Sequence, residues 1–445
     1  MFDKIESLTL SESEKGIKLV DANLEQFSKA INKNETIEEK IIAKFFNGVQ
    51  FKELSYEIGL YKSNIFQYSF IKFLNLNGFK LVNEIGLKDS QIITKAKKSS
   101  VEYDKGAYFS NYLNALLFFE KEETGEKILY RIEKNEYSSD KYYYTVFDSI
   151  KDDNFITNLE AYVNENNFYK GKKITPDCVF LDVPKHITWD DVILDSKTKT
   201  LIKNNVENLI KIKDILNKNK INLKRGIILS GPPGTGKTMI CKVLSNELPV
   251  TVLYVLPTHI KDKSDVTRIC DMAKSLSPTV LILEDIDYIA EDRDSGNNWI
   301  VIDLMNKLDG LEEFNDVITV ATTNKVDKLE DAVKNRPGRF DRVINIPNPD
   351  VTNRKNMIEK FIKHYECDDS LNVEVLADST ESMSGAFIKD LCTTAVMHAI
   401  YENSLNKEGI AELTANHFKK ALKELHNKDY STYEQTKPKE RIGFG

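Results

Sequence analysis

The 445-residue sequence predicts an α/β fold: a parallel sheet flanked by helices, a helical C-terminal segment, and a separate α+β domain in front. Three observations carry this. From about residue 187, short apolar runs (RGIILSG, VTVLYVL, TVLILED, DVITVATT) alternate with helical stretches. Strands apolar on both faces, separated by helices, are the mark of a buried parallel sheet. From about residue 352 the pattern is helical only, in NRKNMIEKFIKHY, SGAFIKDLCTTAVMHAIYENS and TANHFKKALKELHN. The first 180 residues are rich in rings, holding 29 of the chain's 41 Phe and Tyr residues.

In chain order, the first 60 residues read as helical, for example LVDANLEQFSKAI and TIEEKIIAKFF, with apolar positions three to four apart. KILYRIEKNEYSSDKYYYTVF alternates around turn residues like a β-hairpin, and NFITNLEAYVNENNF reads as a short helix. YKGKKITPD, residues 169–177, has the Gly, Pro and lysines of a linker. The expected boundaries are therefore 1–175 for the aromatic-rich domain, 187–350 for the sheet domain, 351–428 for the helical segment and 429–445 for a loose polar tail.

The net charge of −7 is mildly acidic and evenly spread, with −3 over residues 1–180 (25 basic, 28 acidic). That argues against a protein that coats nucleic acid. Five scattered cysteines form no CxxC pair, so a reducing compartment and a cytoplasmic location are expected. The acidic start MFDKIESLTLSESEK does not read as a targeting peptide. No apolar run approaches the roughly 20 residues that span a bilayer.

GIILSGPPGTGKTMICKVL, residues 226–244, reads as strand, glycine loop and helix, and fits the phosphate-binding pattern G-x-x-x-x-G-K-[ST]. Gly231, Gly234 and Gly236 let the backbone curl so that its N–H groups face a polyphosphate, with Pro232, Pro233, Thr235 and Met239 completing the cradle. Lys237 is placed to reach the β- and γ-phosphates of ATP, and Thr238 to offer its hydroxyl to Mg²⁺.

TVLILEDIDYIA, residues 279–290, is a strand that ends in acids. Alternation puts Leu281, Leu283 and Asp285 on one face and Ile282 and Glu284 on the other. Two carboxylates at the carboxyl edge of a parallel sheet can divide the labour: one holds a metal's shell, the other handles the attacking water. A second strand, VITVATTNKVD, ends in Asn324, whose amide suits the lytic water or the γ-phosphate. NRPGRFDRVINIPNPD carries Arg336, Arg339 and Arg342, the kind of cluster that stabilises phosphate charge in trans.

GPPGTGKT, LILEDID, TTN and RPGRFDR, in that order, resemble the AAA ATPases of the AAA+ class, over about residues 187–428. The resemblance implies an ATP hydrolase using Mg²⁺. Glu284 then takes the metal-side place and Asp285 the catalytic one, inverting the family's usual Asp-Glu order. The other register would put Ile286 in the base position, where nothing can take a proton. Arg336 and Arg339 match the two finger positions, which act on a neighbour's nucleotide and imply a homo-oligomeric ring, most often a hexamer. SGAFIKDL resembles the lid segment in which Gly385 and Ala386 approach the nucleotide, and TWDDVIL the entry segment, making Ile193 and Leu194 base contacts.

Many AAA remodellers grip a threaded chain with an aromatic-x-Gly loop. Here the corresponding stretch, residues 252–275, has no glycine, leaving Pro257, Thr258, His259 and Ile260 for that role. The short segment, the E-D-I-D order and the TWDDVIL approach resemble the Bcs-type branch, in a soluble bacterial or phage-like form. The leading expectation is ATP-driven chaperoning, remodelling or translocation of a protein client bound through residues 1–175. An assembly scaffold and a nucleic-acid-associated loader are the alternatives. No zinc spacing, Ser-His-Asp triad or His-Glu-x-x-His motif is present.

Overall fold

A computed structural model describes residues 37–88, 91–93, 95–134, 141–150, 154–221, 223–291, 304, 307, 316–325 and 342–433. Two compact units divide them. One runs to Lys172 and includes Asp177–Phe180; the other comprises Lys173–Pro176 and the chain from Leu181 onward.

The first unit contains α1 (Ile37–Phe46), β1 (Lys52–Gly59), α2 (Leu60–Leu76), β2 (Phe79–Lys88), β3 (Gln91–Ile93), β4 (Lys98–Asp104), β5 (Ala107–Tyr112), β6 (Ala115–Lys121), β7 (Lys127–Lys134), β8 (Lys141–Asp148) and α3 (Phe155–Glu165). β1, β8, β7, β6, β2 and β3 form an antiparallel sheet in that order, and β4 with β5 a separate ribbon. The period-2 rule sorts its side chains. Ala115, Leu117 and Phe119 of β6 face a ring-rich core with Phe66, Phe70 and Phe73 of α2, whereas Leu116 and Phe118 join Ile42 and Phe46 of α1. Most of the aromatic enrichment is therefore core.

The β7–β8 hairpin and the helix over 155–165 are as the sequence reads. Two expectations are corrected. KELSYEIG, within the first 60 residues, is strand β1, because its apolar residues alternate at period two and it pairs along its whole length with β8. LVDANLEQFSKAI lies outside the described residues. Residues 169–177 are not a free linker: Tyr169 is fully buried against Tyr61 and Phe180 in the first unit, and Ile174 is fully buried in Lys173–Ile174, a strand of the second unit's sheet.

In the second unit, that strand is β9 (Lys173–Ile174). It is followed by α4 (Ser196–Asn205), α5 (Glu207–Lys211), α6 (Lys213–Lys218), β10 (Lys224–Ser230), α7 (Lys237–Glu247), β11 (Thr251–Val255), α8 (Lys263–Ser275), β12 (Thr279–Leu283), α9 (Ile286–Glu291), β13 (Val317–Thr323) and β14 (Arg342–Asn345). The parallel sheet has the order β14-β10-β13-β12-β11-β9, and β11, β12 and β13 are buried at every position. β10 sits beside β13, not beside its successor β11, so a crevice opens at the carboxyl ends of β10 and β13.

The lid comprises α10 (Val351–Ile362), β15 (Glu366–Cys367), α11 (Val373–Asp378), α12 (Gly385–Tyr401), β16 (Glu412–Leu413) and α13 (Ala415–Tyr433). Its core joins Ile358, Leu391, Cys392, Ala395 and Phe418. Two departures stand out here. The short parallel β15–β16 pair interrupts the helical pattern, and α13 continues into the expected loose tail as far as Tyr433.

Candidate functional site

The loop between β10 and α7 follows from its glycines. Gly231 has φ +153°, and a Cβ there would lie 2.1 Å from the Ile346 carbonyl oxygen. Gly234 has φ +78°, and its Cβ would meet Ser384 Oγ at 2.6 Å and Ala386 Cβ at 2.8 Å. The first glycine lets the loop pass the backbone just after β14; the second lets the lid close on the loop. The Ala386 N–H donates to the Gly234 carbonyl at 3.0 Å, so the N-terminus of α12 rests on the loop. Ser384 is buried, and its Oγ has no hydrogen-bond partner.

Lys237 opens α7 and is buried. Its Nζ donates to the Gly231 carbonyl at 2.7 Å and to the Pro232 carbonyl at 2.8 Å. Burial pushes its pKa down, while Asp285 and Asp287 pull it up. Thr238 and Met239 are exposed beside it.

β12 ends at Leu283, and the chain then turns. The Glu284 N–H still donates to the Val255 carbonyl at 3.0 Å, one ladder step beyond the strand. Asp285 adopts φ +45°, so the alternation expected through Asp285 holds only as far as Glu284. Asp and Asn enter this left-handed region more readily than Glu does. The local backbone thus favours the shorter acid in second place.

The two carboxylates have different surroundings. Glu284 is 8% exposed. Burial raises its pKa; hydrogen bonding from the Thr238 and Tyr254 hydroxyls lowers it, and Asp285 raises it. Its Oε1 is buried without a hydrogen-bond partner. The pKa of Asp285 is raised by burial and by Asp287, and lowered by Lys237 and by a hydrogen bond with Thr322. The Asp285 N–H donates to Thr322 Oγ1 at 2.8 Å. Glu284 thus lies on the Thr238 side and Asp285 on the Lys237 side.

Asn324 follows β13, half-buried, and its N–H donates to Asp287 Oδ1 at 3.2 Å. Asp287 is 1% exposed and ties the two strand tips together. Leu194 packs with the sheet core and Ile193 with the lid core, so the entry segment bridges the two layers. Arg336 and Arg339 lie outside the described residues; Arg342 begins β14 and is exposed. The stretch considered for gripping a client is a compact 3₁₀ turn, Pro257–His259. His259 Nδ1 accepts the Leu256 N–H at 2.9 Å, and Ile260 is buried.

Tyr254, Thr322, Asp287 and Ser384 are site residues that motif reading did not single out. Their types are common in strands and turns, and only the pairing register brings them to the crevice. The geometry suits a polyphosphate with a divalent cation. Glu284, whose carboxyl the Thr238 hydroxyl influences, keeps a buried oxygen without a partner, and a buried lysine rests on carbonyls it can leave. Among the described residues no cluster of three or more His, Cys, Asp or Glu could hold a metal.

Comparisons with known proteins agree with this geometry. Residues 227–348 match the family described as ATPase family associated with various cellular activities (AAA). The chain is 33% identical over 256 residues to the ATPase family gene 2 protein of Saccharomyces cerevisiae, covering 55% of this chain and 32% of that one. It is 33% identical over 217 residues to a proteasome-activating nucleotidase of Saccharolobus solfataricus, covering 46% and 53%. With Protein SAV of Sulfolobus acidocaldarius it shares 32% over 289 residues, covering 60% and 37%. The chain thus spans between 32% and 53% of the length of these three relatives.

Proposed function

We propose that this chain, which carries an AAA-type ATPase domain, hydrolyses ATP in a homo-oligomeric ring and uses the cycle to chaperone, remodel or translocate a protein client held by its first unit. One observation carries the reading. The two acids after β12 have different surroundings: Glu284 toward Thr238 and Tyr254, Asp285 toward Lys237 and Thr322.

Bound Mg²⁺ would neutralise phosphate charge and polarise the transferred phosphoryl group. Thr238 and the free Oε1 of Glu284 are the groups that would hold it. Lys237 exchanges its two loop carbonyls for phosphate oxygens, a stronger partner for an ammonium group. Asp285, with its raised pKa, orients the water and takes its proton; Thr322 fixes it from the neighbouring strand. Asn324, anchored through Asp287, supplies the amide that aligns the water. Gly385 and Ala386 bring the lid to the phosphate loop, and Ile193 and Leu194 offer apolar contact for the base. Arg336 and Arg339 complete a neighbouring copy's site, which makes the ring, a hexamer, necessary for turnover.

A relative named as a proteasome-activating nucleotidase supports a protein client. In the first unit, Tyr68, Tyr103, Phe109 and Phe168 form a half-exposed ring cluster, and Tyr108 is 60% exposed. We assign client contact to these rings, since exposed aromatics are common anchors of binding. The compact Pro257–His259 turn, with no aromatic, favours a client handled folded over a threaded chain and supports placing the protein in the Bcs-type branch.

The test of the shared site is complementation. Arg336→Ala and Lys237→Ala proteins are each expected to be inactive. Mixed, they should regain part of the wild-type turnover, because intact Lys237 and Arg336 then meet across some interfaces. No recovery from a mixture that forms mixed rings would refute action in trans.

A further inference from the structure

We propose that Tyr254, on β11, is a positioning residue that holds Glu284 in its metal-side orientation; this rests on the role given to Glu284 above. The register argues for it. Tyr254 pairs with Ile282 of β12, and both join Val252, Val280, Cys241 and Leu244 in one apolar cluster beneath α7. Glu284, two residues beyond Ile282 and still on the β11 ladder, is the diagonal neighbour of Tyr254 on that face. Diagonal neighbours in a sheet are about 7–8 Å apart at the backbone, within reach of a tyrosine ring.

The phenol is 8% exposed among aliphatic side chains, so its hydroxyl needs a partner. The strand register puts the Glu284 carboxyl within reach as that partner.

Chemistry explains why such a restraint is useful here. Glu284 has one more rotatable bond than an aspartate. The Thr238 and Tyr254 hydroxyls both act on its carboxyl, and its Oε1 is buried without a partner. Hydrogen-bond partners behind a ligand fix which atom meets the cation. The strand run VTVLYVL hides this role, because a tyrosine in an apolar strand is read as core.

The experiment uses the full chain, a fluorescent ATP analogue and MgCl₂. The analogue is bound first in EDTA, then Mg²⁺ is titrated and the half-saturating concentration read. Tyr254→Phe keeps the ring and removes only the hydroxyl. It is expected to raise the Mg²⁺ requirement roughly tenfold, in line with losses of outer-shell partners, while metal-free affinity stays put. In a Glu284→Asp background, whose shorter acid does not reach the phenol, the same change should have little further effect.

An unchanged Mg²⁺ requirement in Tyr254→Phe would overturn the proposal. So would an equal shift in both backgrounds, which marks general loosening of the core. Glu284→Gln separates this failure from failure of the premise: if that variant also leaves the Mg²⁺ requirement unmoved, Glu284 is not the metal-side acid.

Discussion

Gly234 is where the phosphate loop and the lid meet, and replacing it with alanine should show how tightly they are joined. Two terms add. The φ of +78° is a region that L residues enter at about 1–2 kcal/mol. The new methyl would also stand 2.6 Å from Ser384 Oγ and 2.8 Å from Ala386 Cβ. Crowding of that kind typically costs about 1–3 kcal/mol. Gly236 separates the terms: its φ is +101°, but a Cβ there meets nothing within 4 Å. Gly236→Ala therefore carries only the backbone cost. Gly234→Ala should be less stable than Gly236→Ala by about 1–3 kcal/mol, or about 2–12 °C in melting temperature at ~2–4 °C per kcal/mol for a domain of this size. Adding Ala386→Gly should recover part of the difference. Thermal unfolding of the four proteins without nucleotide is the assay. Equal melting temperatures for the two single variants, or no recovery from Ala386→Gly, would refute the idea that the lid presses on the loop at Gly234.

Two other predictions concern the acids. Asp285→Glu puts a longer side chain at φ +45° and should lower the melting temperature by about 2–4 °C, for about 1 kcal/mol of backbone preference; Asp285→Asn should not, because Asn tolerates that region. Glu284, whose folded pKa is raised above its ordinary value of 4.5, favours folding when protonated. That contribution is present below the unfolded value and lost as pH rises through the folded one. Glu284→Gln should therefore melt higher than wild type at neutral pH without nucleotide, and the gap should close as pH falls toward the carboxyl range. A variant that melts lower at neutral pH would contradict the burial argument.

Much of this was readable in the sequence, for identifiable reasons. The apolar runs of β10 to β13 are buried on both faces, and a glycine loop between strand and helix has few other uses. The acidic pair was readable as a pair, but not its turn. Asp285 leaves the strand at once, and a positive φ at a non-glycine residue leaves little trace in a single sequence. β1 was misread because KELSYEIG follows helical sequence and finds its partner, β8, some 90 residues later. Tyr169 and Ile174 looked like linker because their burial depends on partners distant in the chain. Tyr254, Thr322 and Asp287 were hidden for a similar reason: their roles come from register and strand order, which local pattern does not carry.

The central claim is that Asp285 handles the water while Glu284 holds the metal side. Its most direct test is steady-state ATP turnover of Asp285→Asn, measured with saturating Mg²⁺ alongside its binding of ATP and its assembled mass. The account predicts ATP-loaded rings with turnover reduced by roughly a hundredfold or more, the scale of a lost general base. Turnover near wild type in Asp285→Asn would contradict it and return the catalytic role to another acid at the crevice.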